Sequence, residues 1–304
     1  MNILLAGATG ALGLPLTRQL LAAGHRVTGL TRSHSPVLAA LGAGQVHGDA
    51  LDERSVLSAV DGHKFDVVMH QLTALKKAPT RHKDMYATNE LRQRGTRTLL
   101  AAARATGATR FVTQSIIFGY GYGDVGPVTE ETPLAEPGTS KFAPHLAGIR
   151  AAEEQIFAAA GIEGVALRYG LFYGGDFASL VPMLRKRALP VASRAARVGW
   201  IHHEDAAAAT VAAAERGRAG EAYNIVDDVP ASWTELIRES ATLAGAPAPR
   251  VLPPWLVRIA APYGWSVLGG TSVQASNAKA RRELGWAPEY RSYREGLAAA
   301  AAAL

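Results

Sequence analysis

An apolar run, Ile3-Leu-Leu-Ala6, leads directly into Gly7-Ala-Thr-Gly10-Ala-Leu-Gly13, and this glycine-spaced turn leads into Leu14-Pro-Leu-Thr-Arg-Gln-Leu-Leu-Ala-Ala23. The first segment reads as a buried strand. The last reads as an amphipathic helix, with Pro15 in the first turn, where its missing N–H does least harm. A strand, a glycine turn and a helix start make a phosphate cradle. Glycines let the backbone approach a pyrophosphate, and the helix N-terminus offers free N–H groups and partial positive charge. The spacing is G-x-x-G-x-x-G rather than the usual dinucleotide fingerprint, so its meaning comes from the strand–turn–helix context. Gly7, Thr9, Gly10, Ala11, Leu12 and Gly13 are the first candidate cofactor contacts.

Apolar strands and helical patterns continue to alternate along the chain. A second strand lies within Gly24-His-Arg-Val-Thr-Gly-Leu-Thr-Arg32, and a short third spans 45–49. Asp52 caps a helix over 53–60. The fourth strand, 65–70, is apolar almost throughout, as a strand covered on both faces should be. A long helical pattern over 83–106, a fifth strand at 110–115 and a Gly/Pro/Thr-rich loop over 119–142 follow. A helix over 146–160 and a sixth strand at 164–169 complete the series. This order predicts an α/β fold, a doubly wound parallel sheet of the Rossmann type, with ligands at the carboxyl ends of the strands.

From Gly170 the rhythm breaks. Helices are expected over 181–187 and 205–216, short extended pieces over 190–201 and a strand over 221–226. From Pro230 the chain reads as mostly helical, with prolines clustered between 247 and 262. The expected division is a dinucleotide-binding domain of residues 1–169 and 199–228, and a smaller, mostly helical C-terminal substrate domain of 170–198 and 229–304.

Several function classes drop out on composition. The 304 residues contain no cysteine, which excludes disulfides, thiolate nucleophiles and cysteine-ligated metals. His202-His203-Glu204-Asp205 has metal-ligand residue types, but contiguous residues do not converge on one tetrahedral site, and no metal is expected. The net charge of +6 comes from scattered arginines rather than a tract, which suits a small anionic molecule and argues against nucleic acid. No long apolar run suggests a membrane span, and a strand beginning at residue 2 leaves no room for a signal peptide, so the cytoplasm is the expected compartment. Alanine runs at 206–209 and 298–303 read as helix filler.

Further motifs carry a resemblance. They are Gly48-Asp-Ala-Leu-Asp52, Asn89-x5-Gly95-Thr, Leu167-Arg-Tyr-Gly-Leu-Phe-Tyr-Gly174, Ile201-His-His-Glu-Asp205, Tyr223-Asn-Ile225 and Lys279-Ala-Arg-Arg-Glu-Leu-Gly-Trp286. With the glycine turn, they make the chain resemble the extended short-chain dehydrogenases/reductases, the group that includes nucleotide-sugar epimerases and dehydratases. The resemblance covers nearly the whole length and is specific for fold and cofactor class, not for the reaction. It implies that Asp49 with Ala50, Leu72 with Thr73, and Tyr169 with Leu171 border the cofactor. Gln71 belongs with that loop, Asn89 reads as structural, and His70 as a satisfied core histidine. The helices over 83–106 and 146–160, which this family often pairs across a two-fold axis, hint at a homodimer. Just past the second strand, Thr31-Arg32-Ser33-His34 offers an arginine and no acid, which favours a 2′-phosphate and so NADPH (NADP+).

The departures bear on chemistry. The family's catalytic Tyr-x-x-x-Lys aligns, through Glu154, with Leu146 and Arg150, and no tyrosine occurs between Pro133 and Gly164. This matches an atypical branch that includes aromatic-polyketide ketoreductases. Gln114 or Ser115 is left to hydrogen-bond a substrate carbonyl, and Arg150 to supply a cation that cannot release a proton. His145, Tyr120 and Tyr122 are the fallback proton donors, His145 because it could titrate near neutrality. Arg185-Lys-Arg187 with Arg194 and Arg197 falls where sugar-nucleotide enzymes of this fold bind a pyrophosphate, and Trp255, Tyr263 and Trp265 could wall a flat substrate. The expected activity is an NADPH-dependent ketoreductase acting on a small-molecule, polycyclic aromatic ketone whose own hydroxyl assists proton transfer. Two other readings stand beside it: a nucleotide-sugar epimerase or dehydratase, and a non-catalytic NADP(H)-binding sensor or scaffold.

Overall fold

The computed structural model describes residues 1–75, 77–175, 177–193 and 195–303. A parallel sheet is built from β1 (Asn2–Ala6), β2 (Arg26–Thr31), β3 (Gly44–His47), β4 (Val67–His70), β5 (Arg110–Ile116), β6 (Glu163–Tyr169) and β7 (Glu221–Ile225). Its order is β7-β6-β5-β4-β1-β2-β3. The chain reverses its direction of travel between β1 and β4, and that switch opens the crevice at the strands' carboxyl ends.

Strand alternation divides the core between the two faces. Ile3, Leu5, Val112 and Leu167 pack on one side against α1 (Gly13–Ala22) and α8 (His203–Arg216). Leu4, Val68, Phe111 and Ala166 pack on the other against α3 (Glu53–Ala59), α5 (Thr96–Thr106) and α6 (Ala143–Phe157). The alanines read as filler have a task here. Ala206, Ala207, Ala209 and Ala213 are fully buried and let α8 lie close to the sheet and to α1.

The stretch expected as one helix over 83–106 is compound. A 3-10 turn (His82–Met85), α4 (Tyr86–Glu90), a π turn (Leu91–Gly95) and α5 follow one another. A π turn inserts an extra residue and shifts the helical phase, which a period of 3.6 cannot reveal. The expected loop over 119–142 also hides a strand, Asp124–Val128, which pairs with Ser272–Ala275. That strand joins a second sheet with Arg197–Val198 and Ala231–Ser232.

Helices α7 (Phe177–Arg185), α9 (Trp233–Leu243), α10 (Pro254–Ala260) and α11 (Pro262–Leu268) gather around that second sheet, followed by α12 (Ala278–Leu284) and α13 (Tyr293–Ala302). Ala280, Leu284 and Trp286 return to pack into the α1/α8 side of the main core. Among the described residues no helix is long and apolar enough to cross a membrane.

Candidate active site

The glycine turn is held by backbone contact. Gly7 has φ +99°, and a Cβ there would lie 2.6 Å from the carbonyl oxygen of Gln71. A Cβ on Gly13 would lie 2.0 Å from the carbonyl oxygen of Gly7. The Gly10 N–H donates to Gly7 O at 3.0 Å, and Leu14 N–H to Gly10 O at 3.1 Å. Thr9, Gly10 and Ala11 are exposed while Leu12 and Gly13 are buried. Helix α1 starts without a side-chain cap and without an acid in its first turn. The Leu14 and Leu16 amides are taken by Gly10 O and Leu12 O and Pro15 has none, so an anion would meet the amides of the turn just before them, and the close-approach geometry suits a dinucleotide pyrophosphate.

The remaining candidates on this side follow along the strand ends. Arg32 is exposed just past β2 and has no ion-pair partner among the described residues. Asp49 is exposed, and its Oδ1 accepts from Leu51 N–H at 2.9 Å. The cap of α3 is Asp52, which accepts from Ser55 N–H at 3.2 Å, so Asp49 is not needed for that purpose. Ala50 is buried beside it. Leu72 is half-buried and Thr73 exposed after β4. His70 is fully buried, with its Nε2 on Leu91 O at 3.2 Å and its Nδ1 accepting from Leu72 N–H at 3.2 Å. Burial above all pushes its pKa down to about 4. Leu171 is half-buried, whereas the Tyr169 hydroxyl is 2.7 Å from Thr210 Oγ1 inside the core. Tyr169 therefore has no free hydroxyl for a cofactor.

The two candidates on β5 part company, because successive strand residues face opposite ways. Gln114 donates to Leu72 O at 3.4 Å and ties β5 to the loop after β4. Ser115 donates to Glu153 Oε1 at 2.5 Å. Glu153 is 2% exposed and pairs with Arg168 at 2.7 Å, and Arg168 in turn donates to the Tyr120 hydroxyl at 2.9 Å. The Tyr120 O–H donates to Asn224 Oδ1 at 2.8 Å. Ser115 and Tyr120 thus belong to one buried polar chain, and the sequence expectation of free hydroxyls at these positions is corrected. Arg150 ion-pairs with Glu136 at 3.0 Å and Glu154 at 2.9 Å and donates to Leu134 O at 3.2 Å. Its charge is already met by two carboxylates and is not free beside Leu146.

Next to Leu146 stands a cluster of rings and imidazoles drawn from four parts of the chain. Asn89 Nδ2 donates to His145 Nδ1 at 2.9 Å, so the proton of neutral His145 sits on Nε2. That N–H reaches His82 Nδ1, also at 2.9 Å. His82 Nε2 is buried and without a partner. Burial, followed by the charges of His82 and Arg92, lowers the His145 pKa to about 4, so it does not titrate near neutrality as its sequence position suggested. Tyr122 stacks on Phe142 with ring centroids 4.0 Å apart, and its hydroxyl lies 3.3 Å from that of Tyr263. Tyr263 sits edge-on to both His82 and His145. Of the three aromatics considered for a wall, Tyr263 enters the cluster, Trp255 is 63% exposed and Trp265 packs on Gly269.

Arg92 completes the cluster, and sequence reasoning missed it. It lies on the π turn, 3% exposed. His82 and Phe142, just outside the helices expected from the sequence, were also missed. The basic cluster fares differently. Arg197 donates to Pro230 O at 2.6 Å and pairs with Glu235 at 3.2 Å, while Arg185, Lys186 and Arg187 are exposed. Arg194 lies outside the described residues. His202 accepts from Glu204 N–H at 3.3 Å as the cap of α8, and His203 is bonded to Tyr173 O at 2.7 Å.

Residues 3–226 match the model of the NAD dependent epimerase/dehydratase family. A 3-diazoavenalumate denitrifying reductase of a Streptomyces species is 38% identical, over 98% of this chain and 99% of its own length. A 2-alkyl-3-oxoalkanoate reductase of Stenotrophomonas maltophilia is 34% identical, over 81% of this chain and 77% of its own. Among solved structures, a dTDP-glucose 4,6-dehydratase of Streptomyces venezuelae with NAD bound matches with a TM-score of 0.78 and 25% identity, over 99% of this chain and 96% of that one.

Proposed function

We propose, from the premise that the chain belongs to the NAD-dependent epimerase/dehydratase family and is an NAD(P)-dependent oxidoreductase, that it is an NADPH-dependent reductase of a ketone on a polycyclic aromatic molecule. The observation that supports this reading is the glycine cradle combined with a leucine, Leu146, at the position where the resemblance expects the catalytic tyrosine, and an aromatic cluster of Tyr122, Phe142 and Tyr263 by the neighbouring His145. Gly7, Gly10 and Gly13 would hold the pyrophosphate and Arg32 the 2′-phosphate. Bound NADPH supplies a hydride, and the protein's part is to position the acceptor against it and exclude water.

A reduced ketone still needs one proton. Leu146 has none, Arg150 is engaged, the Ser115 and Tyr120 hydroxyls belong to the Glu153–Arg168 chain, and burial raises the pKa of the paired Tyr122 and Tyr263 hydroxyls above that of an ordinary phenol. The proton comes from the substrate's own hydroxyl, hydrogen-bonded to the ketone from an adjacent ring position. A phenol has a pKa of about 10, the value a catalytic tyrosine would have offered. The test compares one ketone with that hydroxyl free and methylated, following loss of the reduced cofactor. Methylation should abolish turnover. Unchanged turnover on methylation would place the donor in the protein.

Leu146 also favours a second acceptor, and the Streptomyces relative, named for a diazo substrate, supports it. An aryl diazonium carbon that takes up a hydride expels N2 and becomes C–H, and no proton is consumed. With cofactor deuterated at the transferable position, this reading requires deuterium on the ring carbon and release of N2. Deuterium found only on an alcohol carbon would exclude it. Both relatives are named for carboxylate substrates.

A further inference from the structure

The π turn and the start of α5 carry three arginines in one short stretch, Arg92, Arg94 and Arg97, and treat them differently. Arg94 and Arg97 face solvent, and Arg94 pairs with Glu90 at 2.5 Å. Arg92 turns inward and is 3% exposed. Its Nε is buried without a hydrogen-bond partner, and no ion pair reaches its guanidinium among the described residues. Burial pushes its pKa down, and the nearby Glu153 carboxylate opposes that. Glu153 is already held by Arg168 and Ser115. His70 and His145, which also feel the Arg92 charge, are kept neutral.

A buried guanidinium with no counter-ion is costly unless something anionic is meant to meet it. Two more unpartnered buried polar atoms, His82 Nε2 and Asn89 Oδ1, belong to the same cluster. Buried polar groups are nearly always satisfied, so a buried arginine left without a partner points to a ligand. His70 and His145, the two buried imidazoles that feel the Arg92 charge, stand two residues before Leu72 and one before Leu146.

We infer that Arg92 is an anion-recognition residue that binds the carboxylate of an aromatic acid substrate. A guanidinium presents a planar fork that matches a carboxylate in two parallel hydrogen bonds. The His82 N–H provides one further donor beside it. This inference rests on the reductase reading for the identity of the ligand as substrate, and it narrows that reading to acids.

The test uses 4-hydroxycinnamate and its methyl ester as probes, titrated into the full-length protein with and without NADP+. The wild type should bind the acid at least about tenfold tighter than the ester, as expected for one charge-assisted contact. In Arg92→Gln that preference should collapse to under about twofold, with NADP+ affinity unchanged, while Arg92→Lys keeps part of it. Removing an uncompensated buried charge should also raise the melting temperature of the free Arg92→Gln protein, and a purely structural arginine would lower it. The inference is overturned if the wild type shows no acid preference or binds neither probe at millimolar concentration. It is equally overturned if Arg92→Gln retains the preference or loses stability together with NADP+ binding. A protein that binds the acid through Arg92 but oxidises NADPH with no acceptor would sink the reductase reading and leave the acid site standing.

Discussion

On the side of the site proposed for the cofactor, contact would be made by backbone; on the side proposed for the acceptor, it would be made by side chains. The cradle depends on Gly7 and Gly13 lacking a Cβ, and both lie within the first thirteen residues. The acceptor side gathers His82, Arg92, Tyr122, Phe142, His145 and Tyr263 from segments as much as 181 residues apart, and its polar atoms are only partly satisfied. A site whose rigid half binds a constant cofactor, and whose other half is assembled from exchangeable side chains, can change acceptor without changing its fold.

The most damaging change should be Gly13→Val. Its first carbon alone would lie 2.0 Å from Gly7 O, with backbone on every side and nothing flexible to move. NADPH binding, measured by fluorescence titration, should be lost altogether. Tyr263→Leu, on the other side, should leave that binding intact. If both variants bind NADPH equally, the division between the two sides is wrong.

The buried Ser115–Glu153–Arg168–Tyr120 chain links β5, α6 and β6. Glu153→Gln would leave the Arg168 guanidinium buried without its counter-ion. Breaking a buried pair from one side costs about 3–5 kcal/mol. Urea denaturation should show a loss of that size. A loss below about 1 kcal/mol would mean that the pair is solvated and not a brace between β5, β6 and α6.

Arg32→Asp probes the side-chain contact proposed for the 2′-phosphate. A charge-assisted bond to a 2′-phosphate contributes about 1.5–3 kcal/mol, or on the order of tenfold to a hundredfold in affinity. NADPH should weaken by that factor and NADH hardly change. Equal affinity of the native protein for both cofactors would refute the role given to Arg32.

The same contrast governs what the sequence could reveal. Strands of the main sheet announce themselves because Leu4-Leu-Ala or Val67-Val-Met is apolar on both faces, and the glycine turn because only glycine fits it. Arg92 was not legible, since no composition signals a π turn and a regular helix through 83–106 gives it no distinct direction. Tyr263 could be suspected but not separated from Trp255, because which aromatic is buried depends on how α11 docks. The hydroxyls of Ser115 and Tyr120 looked available until Glu153 and Arg168, 38 and 48 residues onward respectively, were seen to hold them.

The smallest expected effect is a flat pH profile, and it bears directly on the acceptor side. His145 is the imidazole nearest Leu146 in sequence, and it sits between Asn89 and His82. Burial, then the His82 and Arg92 charges, holds its pKa at about 4. At neutral pH it is uncharged, with its Nε2–H directed at His82. Were a protonated His145 the acid, kcat would fall tenfold for each pH unit above about 5, because only the protonated fraction would react. A substrate phenol near pKa 10 stays protonated throughout, and Arg92 stays charged. With both substrates saturating, kcat should therefore vary by less than about twofold between roughly pH 6 and pH 8. A tenfold fall per unit over that range would assign the proton to an imidazole, and His145→Gln would then have to remove both the slope and the activity.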